Sequence, residues 1–363
     1  MTLIRYVLRR FLVAVLNVQI VIALVVMLFA TVENLRRHAG SDIGFGTTLR
    51  ITLLQAPEVL YQVFPLVVML ASLATFLRLA RTSELVVLRA AGISALRLIA
   101  IPVAAGTLLG ILVVAIGNPI VSATIRQGAL LAEEARGAGA SRLSVSTGGL
   151  WLRQGDAGGQ TVIRASRANP GGTALNRVLV HRFDSAGQLY ARIEASWARL
   201  RPGEWVLSDA SHWELREDGF ARTARGAEIR LPTDLTSEQI LDSFSPPEMI
   251  PVWELGRFIG QLEEAGFSGL RHRLYFETEL AKPLLLAAMV LIGAAFSLRP
   301  GRFGQTGVMA LLAVLAGFAL YFVKDFAETL GASGEVPLRI AAWTPPIAAI
   351  CLALGLLLHL EDG

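Results

Sequence analysis

Cysteine is all but missing from this chain. Cys351 is alone among 363 residues and lies in an apolar run, so no disulfide framework holds the fold. Lysine is nearly as scarce, with Lys282 and Lys324 the only two; the other permanently cationic side chains are arginines. Charge of either sign is thin, at 17% of residues, where a soluble domain carries about a quarter. Hydrophobic residues reach 53% and the mean hydropathy is +0.55. The chain therefore reads as an integral membrane protein with a substantial polar portion. A pI of about 9.6 suggests nucleic acid at first sight. The formal charge is only +4, however, and there is no basic run or RNA-binding motif, so no nucleic-acid partner is expected.

Several catalytic signatures are also missing. There is no G-x-x-x-x-G-K-[ST], so the chain carries no ATP-binding loop of its own, and no H-E-x-x-H. The histidines at 38, 181, 212, 272 and 359 are scattered. Ser144, Ser146 and Thr147 lie near Gly148-Gly149 without forming a G-x-S-x-G elbow. Gly148-Gly149 and Gly158-Gly159 read as β-turns. The apolar runs hold almost no ionisable residues, which argues against a proton relay. Pro345-Pro346 has no counterpart in the first half and reads as a kink.

What is present is a series of long apolar runs. Six are expected to span a bilayer: Phe11–Val32, Val59–Leu77, Leu98–Val121, Leu280–Leu298, Phe303–Val323 and Ile340–Leu360. The first follows a basic start but is too long for a signal peptide, so it reads as a retained helix. Arg5, Arg9 and Arg10 precede it; Arg78, Arg81, Arg89 and Arg97 lie between the second and third runs; Arg299 and Arg302 fill the turn between the fourth and fifth. The opposite short loops hold Arg36, Arg37, Arg50, Lys324 and Arg339. The bias puts both termini inside and the large insert between the third and fourth runs outside.

That insert, residues 126–251, has a different character. Thr161–Ala165, Arg177–Phe183, Leu189–Ala195, Glu204–Leu207 and Ala227–Leu231 are short, rich in β-formers and mostly alternating. Turn signals at Asp184–Gly187, Arg201–Gly203 and Glu217–Gly219 separate them. This spacing predicts a β-sandwich or jelly roll. Residues 129–137 before it can continue the third span as helix. After the Pro-rich linker Ser245–Pro251, the spacing of Leu255, Phe258, Ile259 and Leu262 predicts an amphipathic helix over 252–265, ended by Gly266. The expected organisation is 1–125 (three spans), 126–251 (the β-jellyroll) and 252–363 (the amphipathic helix and three more spans). The fold class is a six-span, 3+3 α-helical membrane protein with an inserted all-β jellyroll domain.

The stretch Arg81-Thr-Ser-Glu-Leu-Val-Val-Leu-Arg-Ala-Ala-Gly-Ile-Ser94 lies between two spans and is too short to be one. Thr82 or Ser83 can cap a helix and Gly92 can end it. Glu84 in the first turn and Arg89 near the last suit the helix dipole. Leu85, Val86, Leu88 and Ala91 supply an apolar side. Such a helix lies along the membrane surface and either offers a face to a partner or is simply a tight turn.

This stretch resembles the coupling-helix signature of the YjgP/YjgQ (LptF/LptG) family, the paired permease subunits of the lipopolysaccharide export ABC transporter. The resemblance covers the whole chain. Val32-Glu-Asn-Leu-Arg-Arg-His-Ala-Gly40, Arg142-Leu-Ser-Val-Ser-Thr-Gly-Gly-Leu-Trp151 and the 253–266 helix are similar to the G-type rather than the F-type subunit. The resemblance implies a non-enzymatic transport subunit of a Gram-negative inner membrane. It implies no cofactor in this chain, with ATP and Mg bound by a cytoplasmic ATPase dimer. The other partners implied are an F-type permease, a single-span periplasmic bridge protein, a soluble jellyroll bridge, lipopolysaccharide and membrane lipid. Glu84, Leu85, Leu88, Arg89, Ala91 and Gly92 would couple to the ATPase. Glu33, Arg36, Arg37, Lys324 and Arg302 are the candidate contacts to lipid A; one basic position of the family, deeper in the first span, is Ala30 here.

Read from the residues alone, Arg36 and Arg37 either snorkel at the interface or grip phosphate, which guanidinium forks suit. Lys324-Asp325 is either a helix-end ion pair or a second polar contact in a cavity. The β domain holds either a solvated core of its own or an apolar slot for acyl chains. The rival functions are an F-type subunit, a membrane-anchored scaffold, and a mechanotransmitting subunit that drives a periplasmic enzyme.

Overall fold

The computed structural model describes residues 2–37, 45–82, 84, 94–136, 142–146, 149–156, 159–169, 172–184, 187–216, 219–233, 235–236, 246–297 and 306–362. They form two compact units, one of residues 1–132 with 273–363 and one of residues 133–272. The second unit takes in the amphipathic helix after the linker, which the sequence reading had grouped with the later spans.

The first unit is helical. Its elements are α1 (Thr2–Arg37), α2 (Phe45–Arg81), α3 (Ala95–Leu112), a π turn (Val113–Gly117), α4 (Asn118–Arg136), α6 (Leu270–Ser297), α7 (Thr306–Ala332) and α8 (Leu338–Asp362). Among the described residues, six helices, counting α3 through α4 as one, are long and apolar enough to cross a membrane. Each outruns its apolar stretch, because a backbone that has satisfied its hydrogen bonds in lipid keeps the same pattern into the polar boundary. The third helix continues to Arg136, as its sequence suggests.

α2 and α6 form the centre. Met69, Phe76, Leu79, Leu285, Met289 and Ala294 lie in one buried cluster. Backbones approach closely there: a Cβ on Gly293 would meet Met69 O at 2.7 Å and Leu73 N at 2.9 Å. Ser72 Oγ donates to Val290 O at 2.8 Å across the same contact. Small residues and hydroxyls hold helices together in lipid, where an apolar face gains little by leaving the acyl chains. α3 joins the same core at Gly110, whose added Cβ would meet Pro283 Cα at 2.6 Å.

The second unit is a sheet whose seven strands run in chain order: β1 (Arg142–Ser146), β2 (Gly149–Asp156), β3 (Gly159–Ala168), β4 (Ala174–Phe183), β5 (Leu189–Arg201), β6 (Glu204–Arg216) and β7 (Gly219–Pro232). Every described pairing is antiparallel and between consecutive strands. The insert is thus all-β and antiparallel, as expected; enclosure comes from bending one meander rather than from a crossover between two sheets. β2 even reaches the end of β7: Gln154 Nε2 donates to Pro232 O at 3.2 Å and Thr233 Oγ1 donates to Gln154 Oε1 at 2.8 Å.

The bend has a specific origin. The pairs Ser166–Arg177, Arg177–Ser196, Ser196–Asp209 are skipped in three successive ladders, and the β6–β7 register slips beside Ala210. Arg177, Asp209 and Gly226 have positive φ at 48°, 53° and 69°. These positions line up as a crease across β3–β7. Inward parity changes there: Val178 and Val180 are buried on one side and Leu175 on the other; Ile193 and Ala195 give way to Ala198; Trp205 and Leu207 give way to Ala210. A left-handed residue rotates the chain so that both halves of a strand keep apolar side chains inside. Each of the five strands expected from sequence is one half of a real strand and begins or ends at this crease.

α5 (Val252–Glu264) closes the core, with Leu262, Ala265 and Phe267 joining the sheet's buried residues. Phe267 N bonds Leu262 O at 2.9 Å and Gly266 N bonds Glu263 O at 3.0 Å, a Schellman ending with Gly266 at φ +93°. A side chain at Gly266 would strike Ala168 O, and Ala168 N bonds Ala265 O at 2.8 Å. The stop signal at Gly266 therefore also seats the helix on β3.

Candidate functional site

Of the candidate coupling residues, Glu84 is described; Leu85, Leu88, Arg89, Ala91 and Gly92 lie outside the described residues, as does Arg302. Thr82 Oγ1 donates to Arg78 O at 2.9 Å at the end of α2, and the cap expected of Thr82 or Ser83 turns on residues that lie outside the described ones. Ser94 caps α3, its side chain accepting from Arg97 N at 3.2 Å.

Glu84 is held from within the chain. Tyr6 Oη donates to its Oε2 at 2.8 Å. Arg10 Nη1 reaches Oε2 at 3.2 Å and Arg10 Nη2 reaches Oε1 at 3.1 Å. Two guanidinium nitrogens on two carboxylate oxygens make a bidentate fork, more directional than a lysine contact. The same guanidinium lies 4.3 Å from the Tyr6 ring centroid. The Tyr6 hydroxyl, helped by Thr82 and Arg10, holds the Glu84 carboxyl below the usual carboxylate range against partial desolvation. Glu84 is therefore an anchor between the 81–94 segment and the start of α1. Both carboxylate oxygens of Glu84 thus have a cationic partner within the chain.

The far end of α1 carries the phosphate candidates. Glu33 and Arg36 face each other one turn apart, Nε to Oε2 at 3.1 Å and Nη2 to Oε1 at 3.2 Å. Arg37 is the last residue of α1. Asn34 between them is buried, donating to Thr52 Oγ1 at 2.9 Å and Gln55 Oε1 at 3.1 Å, which ties this end of α1 to α2. Lys324 does not pair with its neighbour Asp325, as its sequence position suggested. It bonds Glu328, one turn on, at 2.7 Å, and lies 5.6 Å from the Tyr321 ring centroid.

A further polar cluster, not among the candidates named from sequence, lies inside the helical unit. Glu279 and Lys282, one turn apart on α6, are both buried, with Lys282 Nζ 2.6 Å from Glu279 Oε1. Tyr61 on α2 donates to Glu279 Oε2, and Lys282 Nζ sits 3.6 Å from the Tyr61 ring centroid. Asn118 Nδ2, the first residue beyond the π turn, donates to Tyr275 Oη at 2.9 Å. A π turn shifts the helix register by one residue, and this one brings Asn118 round to α6. Glu279 lies just before the apolar run expected from Leu280, and Lys282 is the one charged residue inside it. The usable signal was Lys282 itself, one of two lysines, three residues after a glutamate within an apolar run.

α1 packs into the helical core along its first half, through Val7, Phe11 and Val15, and is also bonded near both ends. Its 36 residues span about 54 Å at 1.5 Å per residue. One end is clamped to Glu84 and the other is tied to α2 beside Arg36 and Arg37. A rod-like helix of this length is long enough to connect the Glu84 contact to the Arg36 end across the thickness of a bilayer.

The family described as lipopolysaccharide export system permease LptF/LptG matches residues 5–359. Among curated proteins, the lipopolysaccharide export system permease protein LptG of Escherichia coli K12 is 24% identical over 313 residues, covering 85% of this chain and 84% of the relative. LptG of Haemophilus influenzae is 23% identical over 343 residues, covering 91% of each.

Proposed function

This chain belongs to the LptF/LptG family of lipopolysaccharide export permeases, and on that premise we propose that it is the G-type subunit of an ATP-driven exporter. The chain contributes no nucleotide site; a cytoplasmic ATPase dimer hydrolyses ATP and moves the 81–94 segment. An F-type permease completes the transport path. Lipopolysaccharide enters from the outer leaflet, with Arg36 and Arg37 facing its lipid A phosphates. The β unit, on the periplasmic side, passes it to a single-span bridge protein and a soluble jellyroll. The G-type assignment is supported by the curated relatives that match, all named LptG.

The observation that carries the mechanism is the Tyr6–Glu84–Arg10 clamp. A force on the segment reaches α1 through two charge-assisted bonds and a hydroxyl, then travels the rod to Arg36 and Arg37. The test uses the complex purified with its ATPase and permease partner in vesicles. Glu84→Ala is expected to leave ATP hydrolysis in place while lowering lipopolysaccharide release at least tenfold. The exchange Arg10→Glu with Glu84→Arg is expected to restore part of it. Release at the wild-type rate from Glu84→Ala would end the proposal. The substrate end has its own check. A contact to a charged group contributes roughly 1.5–3 kcal/mol, so Arg36→Glu with Arg37→Glu should release bound lipopolysaccharide without loss of assembly.

A further inference from the structure

The structure contains a second cationic site that the transport reading does not use. A cavity of about 480 Å³ lies between the start of α1 and the end of α2. Arg9, Arg10 and Arg78 stand at its mouth with Tyr6. No carboxylate lines it among the described residues, and the nearest one, Glu84, is already engaged by Tyr6 and Arg10. One carboxylate against three guanidiniums leaves the mouth with a positive surplus, and Arg9 and Arg78 are both exposed.

The cavity changes character with depth. Beyond the arginines its walls are mostly apolar, Val13, Ala14, Val18 and Ala74, with Asn17 and Thr75 the polar side chains among them. From Arg10 to Val18 is about 12 Å along the helix at 1.5 Å per residue. That is close to one leaflet of hydrocarbon, about half of a 30 Å core. Cations at the rim and an apolar trough one leaflet deep match the two ends of a lipid. An inorganic anion would fill only the rim and leave the trough open.

We propose that this pocket binds an anionic phospholipid of the cytoplasmic leaflet, its phosphate on Arg9 and Arg78 and an acyl chain along Val13, Ala14 and Val18. Arg10 serves both sites, since its guanidinium lies between the lipid phosphate and Glu84. The bound lipid thus braces the same end of α1 that Glu84 clamps. Guanidinium groups suit phosphate because their planar forks present paired donors, and anionic leaflets draw basic clusters. The leaflet follows from the orientation read from charge bias; the binding chemistry does not depend on it.

The test is native mass spectrometry of the purified complex in detergent, with phosphatidylglycerol, phosphatidylcholine or inorganic phosphate added. Retention of phosphatidylglycerol at least tenfold above phosphatidylcholine is expected. Arg9→Gln with Arg78→Gln should remove that preference. Val13→Trp, at a residue exposed on α1, fills the trough while keeping every charge and should remove it as well. Equal retention of the two lipids by the wild type would overturn the proposal, as would an unchanged preference in either variant. Full displacement of phosphatidylglycerol by millimolar inorganic phosphate would show an anion site without a lipid and would also overturn it. Each variant is compared at matched recovery of the assembled complex, so loss of folding is not read as loss of binding.

Discussion

α1 and α6 are both long, apolar and able to cross a membrane, yet they are used in opposite ways. In α6, 78% of the most apolar stretch is buried within the protein; in α1 the figure is 11%. α6 carries the buried Glu279 and Lys282 and the close-packed Gly293, whereas α1 exposes Leu16, Leu24, Leu28 and Phe29. Apolarity in a span reports its solvent, not its neighbours. Lipid satisfies a leucine as well as another helix does, so protein burial is decided by groups that lipid cannot satisfy. α6 is enclosed by protein along most of its length, whereas α1 packs through Val7, Phe11 and Val15 and turns most of its apolar stretch outward.

The sharpest way to break this contrast is to remove one half of the buried pair. Lys282→Ala leaves Glu279 charged and buried, and a loss of about 3–5 kcal/mol is expected. It would be read as a collapse of the detergent-solubilised protein's melting transition. The paired change Glu279→Gln with Lys282→Met should cost far less. If both variants melt alike, the pair is not what secures α6. The next largest effect is steric. Gly293→Val forces a side chain against Met69 O and Leu73 N, both on the α2 backbone, and overpacking of this kind costs about 1–3 kcal/mol. The same measurement on Leu28→Ala of α1 should show less than about 0.5 kcal/mol, as at a site outside any packed core. A larger loss there would mean that α1 is packed on something the isolated chain does not contain.

The smallest effect extends the contrast to the β unit, where His181 is only partly enclosed on β4. Burial pushes its imidazole below the ordinary value, with Arg192 adding to the shift. A depressed histidine favours the neutral form in the fold, so the unfolded chain binds the proton more readily. Its contribution is therefore present above about pH 6.5 and lost as pH falls through the lower folded value. Melting of the β unit followed from pH 7.5 to 5 should decline, and His181→Asn should flatten part of that decline. An identical pH profile in the variant would remove His181 from the account.

Much of the architecture was legible because it rests on composition over many residues. The six spans, the β-rich insert and the helix ended by Gly266 all follow from apolar length, period or a stop signal. The strands were legible only by halves. At Arg177, Ser196 and Asp209 the chain turns over, and alternation read across the turn cancels itself. Glu84 could be picked out as a charge in a short amphipathic stretch, but its partners Tyr6 and Arg10 are 78 and 74 residues away. Arg36 and Arg37 stood out because they run against the charge bias, whereas nothing in the sequence announced the bond from Asn34 to α2.

By itself, the sequence determined the solvent of each segment: which stretches must lie in lipid, which must form strands, and which charges must remain at the boundaries. These are sums of transfer free energies and depend on the residues alone. The tertiary structure decided which groups meet. It brought Tyr61 to Glu279, 218 residues apart, turned Asn118 toward Tyr275 through a π turn, and gave Glu84 to Arg10. The physical reason is that hydrophobic transfer is non-directional and local to each residue, whereas hydrogen bonds and ion pairs need a partner at about 3 Å, which only the packed chain supplies.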